Sequence, residues 1–389
     1  MLTRQNVIDG YQYLKSLNID NTLVYNSIDI REASFKIAPV DNNIFPAGFN
    51  NIANDSIKNF ENNINNYAKK NDIKSVIILC EEHTRNLGYL KNACILLSAV
   101  QNCGLNVILA TFGNDIKFAE METGMVKVHN IKIINDKIGT DEIPNPDLII
   151  LNNDLSGKSV EDLIFAKLLN SNNVLPSPNF GWHRRKKSDH FVSYQKLAEE
   201  VAQKCNFDSW LINAYFEKSE CHNFSDEKEL QKLADSTSDL IKKIKIKYKE
   251  YKITSSPAVF LKAESGTYGL GVEKINDAKD ILHPNRTFRK NIVYSKSKIS
   301  NTQFLLQEAV PTCILTQGAT SERTIYTSFG EIIGGFYRRH KNKTSMENLN
   351  SKGAEFLPIP CEELNDALLP IYFIATLSSY SAIREFENE

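Results

Sequence analysis

The chain has 389 residues, 42% hydrophobic and 24% charged, which is the balance of a globular protein with more than one core. Its 46 Lys and Arg nearly cancel its 47 Asp and Glu, so no net field exists to hold nucleic acid or an acidic membrane. No apolar run is long enough to span a bilayer, and no secretory leader is read at the start. The seven cysteines are odd in number and lack C-x-x-C or zinc spacing. They read as buried or indifferent thiols of a cytoplasmic protein.

Residues 7–17 and 56–70 carry apolar side chains at helical spacing. Residues 75–80 read as a buried strand, 90–103 as a helix ended by Gly104, and 106–112 as a second strand. Residues 131–134 read as a third strand and 147–151 as another. Short apolar strands alternating with helices predict a doubly wound α/β layer, whose ligands sit beyond the carboxyl ends of the strands. Two polar clusters, 81–86 and 152–156, fall at such ends. The prolines and glycine of 174–181 mark a boundary, dividing an N-terminal α/β domain (1–180) from a C-terminal domain (181–389). Two helices follow, 191–205 and 228–249; the Lys-rich run 242–252 reads as a solvated helix face. Strands are then expected at 258–263, 302–308 and 323–328, the last turning at Phe329-Gly330 into 331–338 as an antiparallel hairpin. Residues 362–386 close the chain as an apolar helix.

The densest chemical signal is Gly266-Thr-Tyr-Gly-Leu-Gly271. Glycines let backbone N–H groups approach phosphate oxygens without an intervening Cβ. A plain glycine-rich hairpin turn is the competing reading. Lys262, on the preceding strand, can reach phosphate as a point charge, and a strand ending in Gln307-Glu308 can accept bonds from adenine or ribose. Gly157-Lys158-Ser159 is not a Walker loop, because Asn152 stands where its first glycine belongs. Arg323 and Arg338 lie on the hairpin and suit charge neutralisation in phosphoryl transfer; Asn348 and Asn350 follow in the loop and suit Mg²⁺.

These residues resemble the proteobacterial type of glutamate–cysteine ligase. The likeness runs through Lys262-Ala-Glu-Ser-Gly-Thr-Tyr-Gly-Leu-Gly271, Leu306-Gln-Glu308, Gly334-Gly-Phe-Tyr-Arg338 and Glu347-Asn-Leu-Asn350. Upstream it takes in Glu82-His-Thr-Arg-Asn86, Asn152-Asn-Asp-Leu-Ser156, the 184–191 region and Trp210-Leu-Ile-Asn213. The second half also looks like an ATP-grasp domain of the glutathione-synthetase sort, so the resemblance implies an α/β domain followed by an ATP-grasp-like α+β domain. It implies ligation of the γ-carboxylate of L-glutamate to the amine of L-cysteine, with ATP and Mg²⁺, through an acyl phosphate.

By that resemblance Lys262, Gly266, Thr267, Tyr268, Gly269, Gly271, Gln307 and Glu308 would bind the nucleotide. Arg338, Lys262 and Arg323 would act in transfer, and Arg85, Asn86, Asn153, Arg184 and Arg185 would hold the amino acids. The late strand carrying an acid and then Glu-x-Asn, usual for Mg²⁺ in ATP-grasp enzymes, is not found; Asn348, Asn350 and Glu322 are the candidates in its place. Glu264-Ser265 also stands where the family usually has Asp-Ala. The alternatives are a ligase of the same fold with another acceptor amine, or a nucleotide-binding regulator without catalysis. No nucleic-acid or membrane partner is expected, and the sequence does not give an oligomeric state.

Overall fold

The computed structural model describes residues 2–82, 87–113, 117–121, 124–159, 161–265, 271–284, 286–293, 302–360 and 368–386. Its elements build one parallel layer and two antiparallel sheets, the fold class expected.

The parallel layer runs in the order Val174–Leu175, Leu148–Asn152, Ser75–Cys80, Asn106–Thr111, Gly124–Asn130, with Lys117–Met121 antiparallel at the edge. The apolar run Val76-Ile-Ile-Leu79 is fully buried because both faces are covered. Val76 and Ile78 pack with helices Asn54–Lys70 and Leu87–Asn102; Ile77 and Leu79 pack with Phe165 and Leu168 of helix Leu163–Leu169. The strand read at 131–134 lies elsewhere. Lys132–Ile134 pairs with Lys137–Gly139 in a separate ribbon, because Asn135 and Asp136 adopt positive φ and turn the chain straight back.

The central antiparallel sheet has the order Glu355–Pro358, Glu331–His340, Ala319–Ser328, Asn26–Glu32, Ile37–Asn43, with Ile314–Thr316 paired to Ala319–Ser328. Two of its strands thus come from the first 43 residues, so a division near residue 180 separates strands that share hydrogen bonds. The expected hairpin is present. Phe329 and Gly330 both have positive φ, and Phe329 stacks on Tyr67 with ring centroids 4.6 Å apart. Gly334 is glycine for close approach: a Cβ there would lie 1.9 Å from the Ser56 hydroxyl of helix Asn54–Lys70.

The third sheet runs Phe216–Glu220, Gln303–Glu308, Val259–Ala263, Val272–Ile275. Helix Glu227–Glu250 covers one face, burying Leu233, Leu240 and Ile244 against Leu261, Phe304 and Leu306. Its N-terminus is capped by Asp226, which accepts from Lys228 and Glu229 N–H. No helix among the described residues is long and apolar enough to cross a membrane.

Candidate active site

Strand side chains alternate between faces, and this decides what each sheet offers. In the central sheet, Ile28, Ile30, Ile325 and Tyr337 face helices Arg4–Ser16, Lys187–Lys204 and Leu369–Ile383. Ser27, Asp29, Arg31, Glu322, Arg338 and Phe356 therefore share the opposite face, as the register Glu322↔Arg338↔Phe356 requires. In the third sheet, Val259 and Leu261 face the helix, so Phe260 and Lys262 face the central sheet. The two faces line an open cleft.

Four cations, Arg31, Lys187, Lys262 and Arg338, meet three carboxylates there, Asp29, Asp41 and Glu322. The surplus positive charge suits an anionic ligand. Arg338 Nη1 donates to Asp29 Oδ2 at 2.8 Å and Glu322 Oε1 at 2.6 Å. Arg31 Nε pairs with Glu322, while its two terminal nitrogens donate to the Ser345 and Glu347 carbonyls at 2.9 Å. Lys262 Nζ donates to the Val40 carbonyl and to Gln307 Oε1, both at 2.7 Å. Arg338 Nε and Gln307 Nε2 are buried donors with no hydrogen-bond partner among the described residues. Buried orphan donors beside a cationic cleft fit phosphate oxygens.

The charges move one another's protonation. Burial pushes Lys262 down to about 8, against the pull of Asp41, with Lys187 and Arg31 adding to the fall. Burial raises the Asp29 carboxyl; Arg338 draws it down and Glu322 pushes it up again. Burial also works against the Glu322 carboxylate, but Arg31 and Arg338 outweigh it and hold its carboxyl below the usual range. Lys187 and Lys262 do the same for Asp41.

A second, roomier cavity opens between the central sheet and the carboxyl ends of the parallel strands. Glu81 and Asp154, just past two of those strands, line it from the parallel layer; Asn43, Tyr326, Phe336 and Phe356 line it from the central sheet. Arg338 and Asn350 border both cavities.

Of the residues singled out from sequence, Lys262, Arg338, Glu322, Asn348 and Asn350 converge on the first cleft. Oxygen donors from Asp29, Glu322 and the two asparagines are the kind a hard cation takes together with phosphate oxygens. Among the described residues, no group of three or more His, Cys, Asp or Glu could hold a metal unaided. Gly271, at positive φ, closes the base of the glycine-rich segment through Ala263 N–H to its carbonyl at 2.9 Å. Gly266, Thr267, Tyr268, Gly269, Arg85 and Asn86 lie outside the described residues.

Other candidates are placed elsewhere. Arg323, one residue out of phase with Glu322, points to the helix-covered side and pairs with Glu32 and the Tyr337 hydroxyl. Glu308 sits opposite Val259 on the helix face of the third sheet, held by Lys36 Nζ at 2.9 Å, Trp210 Nε1 at 3.2 Å and Tyr215 N–H at 3.0 Å. Gln307 is fully buried and meets the site through Lys262. Arg185 is buried against Glu385, with its third contact to the Asn42 carbonyl. Arg184 is exposed and stacks over Phe386, and Asn153 ties the Cys80 carbonyl to Leu155 N–H. Sequence reasoning passed over Asp29, Arg31, Asp41 and Lys187. The strict alternation Ser27-Ile-Asp-Ile-Arg31 was the available signal for the first two: a strand with one charged face.

The sequence matches the family described as Glutamate-cysteine ligase over residues 1–369. Among solved structures, a protein of Methylobacillus flagellatus KT, provisionally designated a gamma-glutamylcysteine synthetase, superposes with a TM-score of 0.86 at 28% identity, covering 99% of this chain and 95% of that one. A D-alanyl-alanine synthetase A from Vibrio cholerae O1 biovar eltor aligns over 74% of this chain and 75% of that one at 14% identity, with a TM-score of 0.36. Comparison with curated protein sequences gives no match.

Proposed function

This chain belongs to the glutamate–cysteine ligase family, and we propose that it joins the γ-carboxylate of L-glutamate to the amine of L-cysteine while ATP is cleaved to ADP and phosphate. One observation carries the mechanism: Arg338 borders both cavities and keeps a buried, unpartnered Nε. A group transferred from nucleotide in the first to amino acid in the second would stay within its reach.

In this reading a glutamate γ-carboxylate oxygen attacks the terminal phosphorus and the bond to ADP breaks. The cysteine nitrogen then attacks the acyl carbon, the carbon–oxygen bond to phosphate breaks, and the nitrogen gives up a proton. The protein contributes position and charge. Lys262 and Lys187 offer ammonium groups to phosphate oxygens, and Arg338 neutralises the oxygens between the two reactants. Mg²⁺, where bound, would spread the phosphate charge; Asp29, Glu322, Asn348 and Asn350 are its candidate oxygen donors. Both reactants and ATP belong to the cytoplasm, the setting we propose.

The test is phosphate release from MgATP with glutamate and cysteine together and with each omitted, the product weighed by mass spectrometry. Release that needs both, with a γ-glutamylcysteine mass, is expected. Release that needs glutamate but proceeds with another amine would keep the ligase and change its acceptor. Bound ATP without release would leave a nucleotide-binding regulator.

A further inference from the structure

The second cavity has one wall that the ligase reading does not use. Phe356 is 40% exposed on the edge strand Glu355–Pro358, yet it lines that cavity. It meets Phe336 edge-on, with centroids 5.3 Å apart and planes at 88°. It is also the direct cross-strand partner of Arg338. The Arg338 guanidinium carbon lies 6.0 Å from the Phe336 ring. An aromatic corner therefore stands beside the arginine that spans the two cavities, while the carboxylates Glu81 and Asp154 come from the parallel layer.

The covalent structures of the two amino acids assign the walls. In cysteine the sulfur is only three bonds from the attacking nitrogen, so it must lie close to the reacting carbon. In glutamate the charged α-groups are four bonds from the reacting carboxyl carbon and reach away from it. A soft, weakly polar thiol loses little by leaving water for an aromatic corner; a charged ammonium or carboxylate loses far more unless it is paired. We propose that Phe356, with Phe336 behind it, is the specificity wall for the acceptor's side chain and favours cysteine over serine. The inference rests on the ligase reading above.

The test is competition between cysteine and serine at fixed glutamate and MgATP, with products quantified by mass. For Phe356→Ala, kcat/KM for cysteine is expected to fall about tenfold, within the range for losing part of an apolar contact. Turnover with serine and the KM values for glutamate and ATP stay near wild type, so the preference for cysteine contracts by the same factor. Phe356→Leu, which keeps apolar bulk of similar reach but no aromatic edge, restores only part of it. A thermal melt near wild type accompanies both, since the ring is partly exposed on an edge strand. An unchanged cysteine-to-serine ratio in Phe356→Ala, or a glutamate KM that moves in step with cysteine, would overturn the assignment. A wild-type enzyme that ligates another amine but not cysteine would instead overturn the choice of cysteine in the reading above, while keeping the ligase.

Discussion

The two faces of the central antiparallel sheet are made by the same strands and do opposite work. One face presents Ile28, Ile30, Ile325 and Tyr337 to the closing helix, where Phe373, Ile374 and Leu377 are fully buried. The other presents Asp29, Arg31, Glu322 and Arg338 to a cleft. Apolar burial stabilises by roughly 25 cal/mol per Å². Buried ions return little beyond their desolvation cost, even when paired. The helix face holds the sheet together, and that stability lets the cleft face keep a charge cluster chosen for chemistry.

Substitutions can break this contrast, and the largest effect is expected at Arg338. Arg338→Lys keeps the charge but loses the planar fork that joins Asp29 to Glu322. Turnover should fall by about a hundred- to a thousandfold, measured as phosphate release, while circular dichroism still reports a folded protein. Wild-type turnover would remove Arg338 from the chemistry.

Ile325→Ala on the opposite face should reverse the pattern. Denaturant titration should show a loss of about 2–5 kcal/mol, with kcat of the folded fraction within about twofold of wild type. A large fall in kcat at unchanged stability would mean the two faces are not separable.

A pH series sharpens the comparison. Lys262 titrates near 8 rather than at its ordinary 10.5, so kcat/KM for ATP should decline as pH rises through about 8, when the ammonium loses its proton. Lys262→Arg should flatten that decline. The stability effect has the opposite sign. Between 8 and 10.5 the unfolded chain binds more protons at this residue than the native one; its contribution to stability therefore rises with pH across that window. A decline that persists in Lys262→Arg would point to another group.

The smallest effect is expected at Arg323. Its pair with Glu32 lies on the helix side and is largely buried. Arg323→Gln should cost about 1–3 kcal/mol of stability, chiefly by leaving Glu32 unpaired, and leave turnover within about twofold. A loss comparable to that of Arg338→Lys would place Arg323 in the transfer step after all.

Lys262 and Arg338 were legible because each stands on a clear strand beside glycines that ask for a ligand or a close approach. Glu308 and Arg323 are equally polar and lie on strands just as clear, but each is one residue out of phase with the face that carries the site. A shift of one residue turns a side chain through the sheet, and no local pattern said which face would meet the cleft. Arg185 looked like a carboxylate binder, and it is one, but its carboxylate is the chain's own Glu385.

From the residues alone came the element types, the two layers, the turn at Phe329-Gly330 and a set of charged side chains suited to phosphate. These depend on periodicity and turn chemistry, which act over a few neighbours. Only the tertiary structure brought the strands Asn26–Glu32 and Ile37–Asn43 into the sheet of the second half. It set Asp29 against Arg338, 309 positions away, and joined the two cavities at that arginine. Strand pairing over such separations is chosen by the burial of whole faces against helices. It is a property of the assembled sheet rather than of any segment of it.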